Sequence, residues 1–448
     1  MRVLVTDGET NKALAVVRAI ADATTEIGVA SRFPVSPAGV STAADRSHWL
    51  RDRSPDAMVA ALNDLSDRYD QLLPVGGRTF ELVSERREDL QFPVERLLPD
   101  RSAMQTAVRK AETYALADSE GVPAPTTVVL SNESGVDAAG EVVGFPAVIK
   151  TGVETEPRFV RIVDDAPELA AAYREYRDDH DSDPIVQERL PGPGRGYFGL
   201  YADGDLVAGY AHRRIREYPP EGGASACAES ERDAELRDYS RRLLSALDWS
   251  GVAMVEFKEA ADGTPTVVEI NPKFWGSLDL GIASGLNLPR ALLASARGPA
   301  HASATADAED AGATVHAHAA AAGAAENVAS RTETADPART TTGGTRVATD
   351  GATPADTADA PDGAAPADTA DAPDGYGSLR AAVGDSPFTP KRFHWPLSGD
   401  LTHAWRRPES APAVFRDLVS PHTESNVRLS DPLPHVLEAA ITLVRWDV

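Results

Sequence analysis

The stretch Gly251 to Leu280, GVAMVEFKEAADGTPTVVEINPKFWGSLDL, restricts the folds open to this chain more than any other. Val252 to Phe257 and Thr266 to Ile270 are short apolar runs rich in β-formers. Asp262-Gly263 between them is a turn signal, so the spacing predicts two antiparallel strands. Side chains alternate along a strand, which puts Glu269 and Asn271 on one face, and an antiparallel partner can bring Glu256 to that face. The flanking Val252, Met254, Val255, Val267, Val268 and Ile270 make both strands read as buried on both faces, where an uncompensated carboxylate costs several kcal/mol. A positive partner is therefore required between Glu256 and Glu269. Mg²⁺ suits three hard oxygen donors because it takes few carboxylates and completes its shell with waters and substrate phosphates. The alternative is a buried ion pair with Lys258 or an arginine.

The M-V-E-F strand followed by V-E-I-N-P-x-F-W resembles the metal-binding core of the ATP-grasp superfamily, which includes biotin carboxylase, the carbamoyl-phosphate synthase large chain and D-alanine ligase. The resemblance implies that Glu256, Glu269 and Asn271 hold the magnesium, or manganese, ions bridging the ATP phosphates. It also implies the fold class: α/β of the α+β ATP-grasp type, with a Rossmann-like domain followed by a two-lobed ATP-grasp domain. The family usually carries arginine two residues after the asparagine, to stabilise the transferring group. Lys273 stands there instead, keeping the charge and losing the bidentate fork.

Further segments extend the resemblance. Ala107 to Ala124 reads as one helix ending at Gly121, and Lys110 within it matches a phosphate-contacting lysine of the family. Phe145-Pro146-Ala147-Val148-Ile149-Lys150 is a short strand ending in a second such lysine, Lys150. The family follows it with a glycine-rich loop, but here the loop runs Thr151-Gly152-Val153-Glu154-Thr155-Glu156-Pro157 and carries two glutamates. Pro184 to Gly192 resembles the linker against which adenine lies, implying ATP contacts at Gln187, Glu188 and Leu190. The string from His212 to Ser225, H-R-R-x-R-E-x-P-P-x-G-G-x-S, resembles the substrate loop of an uncharacterised microbial ATP-grasp group related to carbamoyl-phosphate synthase. Arginines beside glycines make an anion site, so Arg213 and Arg216 are expected in catalysis beside Lys273, with Arg214, Gly222, Gly223 and Ser225 in the substrate loop. A solvated basic turn paired with Glu217, Glu221 and Glu229 is the alternative.

Before this core, residues 1–103 alternate strand and helix signals: Val3 to Val5, a helix from Asn11 to Ala21, a strand near Ile27 to Ala30, a helix from Pro55 to Arg68, and a strand near Leu72 to Val75. That order predicts a parallel sheet with covering helices, and no G-x-G-x-x-G points to a dinucleotide. The ATP-grasp part is expected over 104–295. Residues 296–375, rich in Ala, Thr, Asp, Gly and Pro with PADTADAPDG occurring at Pro354 and again at Pro366, cannot bury enough apolar surface and are expected to be disordered. Apolar anchors return over 376–448, which is expected to pack back on the body as a tail with a terminal helix.

The formal net charge of −25 argues against partners such as nucleic acid or anionic membrane. An acidic surface with few lysines suggests a high-salt cytoplasm, although a GC-rich genome also favours arginine and alanine. Cys227 is the only cysteine, so no intrachain disulfide forms, and neither a signal peptide nor a membrane span is expected. The resulting expectation is a cytoplasmic, ADP-forming ligase that uses ATP and Mg²⁺ to join a small-molecule carboxylate to an amine. Homodimerisation is left open. Two alternatives stand beside it: a non-enzymatic ATP-binding regulatory module, and a carboxylase working through carboxyphosphate, for which the chain has no A-M-K-M biotinyl-acceptor motif.

Overall fold

Val3, Leu4 and Val5 have no polar side chain to present to water, and β1 (Arg2–Val5) is accordingly buried between neighbours on both sides. The computed structural model describes residues 1–154, 159–220, 223–296, 381–383 and 388–446. Thr10 accepts a hydrogen bond from the Ala13 amide and so starts α1 (Asn11–Ile20) immediately after the strand. There follow β2 (Glu26–Ser31), β3 (Arg46–Trp49), α2 (Pro55–Asn63), β4 (Gln71–Leu73) and α3 (Gly77–Glu85). The strands form a parallel sheet in the order β3-β2-β1-β4. Two details depart from the sequence reading. The sequence RSHW of β3 has no apolar alternation, because it is a largely exposed edge, and α2 stops at Asn63 rather than Arg68.

The helix expected from Ala107 to Ala124 is two helices, α4 (Arg101–Val108) and α5 (Lys110–Ser119). Nothing local forbids a helical Arg109. It is extended because it forms a β-bridge to Val153, while Lys110 donates its amide to the Gly152 carbonyl (2.9 Å) and Glu154 donates its amide to the Val108 carbonyl (2.8 Å). A tertiary contact has overridden a local preference.

Beyond it lie β5 (Thr127–Val129), α6 (Val136–Val143), β6 (Ala147–Lys150), β7 (Val160–Val163), α7 (Ala166–Asp179) and β8 (Ile185–Glu188), whose strands make an antiparallel sheet in the order β5-β8-β6-β7. The next elements are β9 (Gly194–Ala202), β10 (Asp205–Tyr218), β11 (Ala224–Glu231), α8 (Ala234–Ala246), β12 (Gly251–Glu259), β13 (Pro265–Asn271), α9 (Leu278–Ala283) and α10 (Leu288–Ser295). The turn from β9 to β10 uses Asp203 and Gly204, both at positive φ, as a tight hairpin requires.

The tail joins this last sheet. β14 (Arg392–His394) pairs with the free edge of β11, and after α11 (Leu401–Arg406) and α12 (Ala411–Val419), β15 (Thr423–Ser425) adds beside β14. The completed order is β13-β12-β9-β10-β11-β14-β15. The final helix, α13 (Leu433–Trp446), and the residues just before it are tied back to α1: Arg18 meets Asp431 at 2.9 Å and the Asn11 side-chain amide donates to Glu438 at 2.8 Å. Packing of the tail on the body is therefore observed. The disorder expected for 296–375 falls almost wholly outside the described residues.

Candidate active site

The pairing of β12 with β13 sets Glu256 directly opposite Glu269 and Met254 opposite Asn271. One step on, Phe257 pairs with Val267, so Val268 is an extra residue, a bulge whose carbonyl accepts the Tyr114 hydroxyl at 2.7 Å. Glu256, Glu269 and Asn271 all face one cavity of about 1560 Å³.

Around Glu269 the side chains close into a ring. Lys110 Nζ lies 3.0 Å from Glu269 Oε2, and Glu269 Oε1 accepts the Asn271 side-chain amide at 2.9 Å. The Asn271 carbonyl accepts Lys273 Nζ at 3.0 Å, Lys273 meets Glu154 Oε1 at 2.6 Å, and Glu154 Oε2 returns to Lys110 at 3.1 Å. Lys110 is only 5% exposed. The bridge between Arg109 and Val153 brings Glu154 within reach, by clipping the end of the phosphate loop to the start of α5. Burial alone would raise the pKa of Glu269, but Lys110 and Lys150 outweigh it and hold the carboxyl far below its usual range. Glu256 goes the other way. Burial raises it and Glu269 adds to the shift, against Arg214, whose guanidinium lies 2.9 Å away. Lys150 ends β6 beside this ring, with Nζ 3.3 Å from the Tyr114 hydroxyl.

The linker residues also line the cavity. Gln187 and Glu188 are held from β5, by the Thr127 hydroxyl (2.9 Å) and the Thr126 amide (2.9 Å), and Leu190 follows them.

The arginine strand requires a correction. Of the three arginines, Arg214 alone faces the cavity, together with His212 and Glu217; Gly223 and Ser225 line it too, while Gly222 lies outside the described residues. Arg213 and Arg216, expected in catalysis, are elsewhere. Arg213 is half exposed and pairs with Glu229. Arg216 is 7% exposed and grips Asp400 through two hydrogen bonds of 2.8 Å and Asp417 through one of 2.7 Å. Strand alternation separates Arg213 from Arg214. Beyond Arg214 the ladder is irregular, Ile215 having no partner opposite, so Glu217 rather than Arg216 follows into the cavity. Arg214 reaches Glu256 across β9, where Gly194 leaves room: a Cβ there would lie 2.8 Å from the guanidinium.

Several lining residues escaped the sequence reading: Lys12 near the start of α1, Arg32 after β2, Trp275, and from the tail Trp395 and Glu438. For Lys12 a signal existed. It lies just past T-D-G-E at the carboxyl end of β1, where open α/β sheets place ligands. For the tail residues no local signal existed.

Residues 181–320 match the family described as ATP-grasp in the biosynthetic pathway with Ter operon. The chain is 27% identical over 252 residues to the carbamoyl phosphate synthase large chain of Methanospirillum hungatei, covering 53% of this chain and 23% of that one. It is 27% identical over 178 residues to the D-alanine–D-alanine ligase of Stutzerimonas stutzeri, covering 38% of this chain and 56% of the ligase. Each match spans well under two thirds of the relative's own length. Among solved structures, the biotin carboxylase domain of the Hydrogenobacter thermophilus 2-oxoglutarate carboxylase, in complex with MgADP, ADP and bicarbonate, superposes with a TM-score of 0.55 at 14% identity, over 66% of this chain and 70% of that one. A likeness at that identity speaks for the fold.

Proposed function

The chain is an ATP-grasp superfamily protein, and on that premise we propose that it is an ADP-forming ligase, activating a carboxylate as an acyl phosphate for attack by an amine or similar nucleophile. The observation that carries this reading is the ring in which Glu154 lays a carboxylate between Lys110 and Lys273. A phosphoryl group suits the same two ammonium ions, with more charge and more acceptor oxygens.

In this mechanism a substrate carboxylate oxygen attacks the γ-phosphorus of ATP and the bond to ADP breaks. The amine then attacks the acyl carbon, phosphate leaves with the C–O electron pair, and the nitrogen gives up a proton as the amide forms. Lys110 and Lys150 hold phosphate oxygens as point charges, and Lys273 and Arg214 match the negative charge of the transferring group. Arg214 takes the place first given to Arg213 and Arg216. Glu256, Glu269 and the Asn271 carbonyl are hard oxygen donors of the kind that fit Mg²⁺; in this structure they are met instead by Arg214, Lys110 and Lys273, and a bound ion would share or displace those contacts. Bound there, the ion supplies neutralisation of the β- and γ-phosphate charge.

A second reading, an ATP-binding regulatory module without acceptor chemistry, draws support from the same Glu154, which already satisfies both lysines. Release of ADP and phosphate from MgATP across a panel of carboxylic acids and amines separates the two. Stimulation by any pair supports the ligase. Tight MgATP binding with no stimulation by any pair favours the module. Among the described residues no helix is long and apolar enough to cross a membrane.

A further inference from the structure

In the parallel sheet, the connection leaving β1 runs toward β2 while β4 lies on the other side, so the crevice at the carboxyl ends of β1 and β4 is the topological switch point. Ligands of open α/β sheets lie at such points. Asp7, at φ +58, is committed to closing one wall of it, accepting the Gly76 amide at 2.6 Å and the Thr79 hydroxyl at 2.9 Å at the start of α3. Lys12 on α1 faces the cavity with Nζ donating to the Phe274 carbonyl at 3.1 Å, and among the described residues no carboxylate pairs with it. Lys273 reaches the same crevice from β13: a Cβ on Gly77 would lie 3.2 Å from its Cδ.

At the other end of the turn that begins at Phe274, Ser277 lies 3.4 Å from Nδ1 of His212. That imidazole is 1% exposed and lines the same cavity, and its Nε2 is buried without a partner among the described residues. Burial, with Arg214 nearby, keeps the ring neutral. The turn thus sits between two polar groups of other elements that line the cavity: the half-buried Lys12 ammonium, which has no carboxylate partner among the described residues, and the buried His212 ring, whose Nε2 has no hydrogen-bond partner among them. An unmet buried polar group is costly unless a ligand completes it.

Resting on the ligase reading, we propose that Lys12, beside Lys273, seats the carboxylate that is to be activated, and that His212 Nε2 hydrogen-bonds the same substrate. The charge balance around Lys12 agrees. Its pKa falls from 10.5 to about 8, first through burial and then through Lys273, with Asp7 and Glu154 opposing but not cancelling the shift. An arriving anion favours the charged ammonium and reverses that fall.

The test follows the Lys12 titration by NMR in protein carrying ¹³C-labelled lysine, the Lys12 signal being identified by its loss in Lys12→Arg. The probes are acetate and inorganic phosphate, each added alone and with a non-hydrolysable ATP analogue. The expected result is a midpoint near 8 without anion, moved upward by about one pH unit by acetate, a tenfold preference for the charged form. His212→Leu should reduce that movement. A shift with phosphate but not acetate would overturn the carboxylate assignment, and no shift with either would overturn the seat itself. Failure of the analogue to bind would sink the ligase reading instead, since the Lys12 titration is read with and without it.

Discussion

Arg214 and Arg216 lie two residues apart on one strand, both are largely buried, and each is held by two carboxylates, yet they serve different parts of the molecule. The partners of Arg214, Glu217 at 3.3 Å and Glu256 at 2.9 Å, line the cavity. The partners of Arg216, Asp400 and Asp417, belong to the tail and are almost wholly buried. Residue type, burial and number of partners do not tell chemistry from architecture here; the face of the sheet does. On one face the charges border a volume large enough for substrates, and on the other they are closed off by a segment remote in sequence.

The largest effect that could break this contrast is on stability. Arg216→Ala leaves Asp400 with His394 alone and Asp417 with only the 3.5 Å contact to Arg392, and should cost about 3 kcal/mol, read as a lowered denaturation midpoint in urea. A loss below about 1 kcal/mol would mean that Arg216 is not a structural tie. Next, Glu269→Gln removes a carboxylate from the cavity side and should weaken MgATP binding by about a hundredfold, near 2.7 kcal/mol. Calorimetry showing unchanged affinity would remove the metal-holding role from that face.

The third expectation concerns pH. Burial pushes the Asp400 carboxyl up, but His394 and Arg216 outweigh it and hold it below the usual range. A group depressed in the folded state stabilises above its unfolded pKa, about 4, and that contribution disappears as pH falls through the lower folded value. Removing Arg216 takes away part of that depression, so the stability gap between wild type and Arg216→Ala should shrink as pH falls from about 4 through the lower folded value, and a constant gap would contradict the pairing. The smallest effect belongs to Arg213→Ala, whose exposed partner contact should be worth less than about 1 kcal/mol, with MgATP affinity unaltered in the same calorimetry.

How much of this was legible in the sequence follows the range of the forces involved. The period of two in V-E-I-N puts Glu269 and Asn271 on one face and the Asp262-Gly263 turn announces the hairpin, but the rung that joins Glu256 to Glu269 also needs the Val268 bulge, which moves the register by one from the turn. The R-R-I-R string could not be divided in the same way, since the division depends on an irregular ladder between β10 and β11 that no residue in the string announces. Glu154 looked like an awkward substitute for glycine. Its place in the ring depends on the bridge from Arg109 to Val153, a contact between segments more than forty residues apart. The tail read as apolar anchors packing on the body, and it does pack there, but that Trp395 and Glu438 line the cavity depends on β14 adding to β11.

The unpaired Ile215 has a further consequence. Opposite it, Cys227 and Ser225 pair with Arg216 and Glu217 while Ala226 is skipped, and the Ala226 carbonyl is taken instead by the Trp395 amide at 3.0 Å. The strand thus carries one surplus residue on each side, and the second surplus is the point where the tail docks. Two residues apart on a regular strand, Arg214 and Arg216 would share a face; Ile215 as the surplus residue is what divides them. Loss of Ile215 alone would leave the two arginines on opposite faces by ordinary alternation, but would leave the skipped Ala226 without its counterpart on the other strand. Among natural variants of such a chain, length changes between Arg213 and Ala228 should therefore occur as matched pairs on the two strands, or together with loss of the tail.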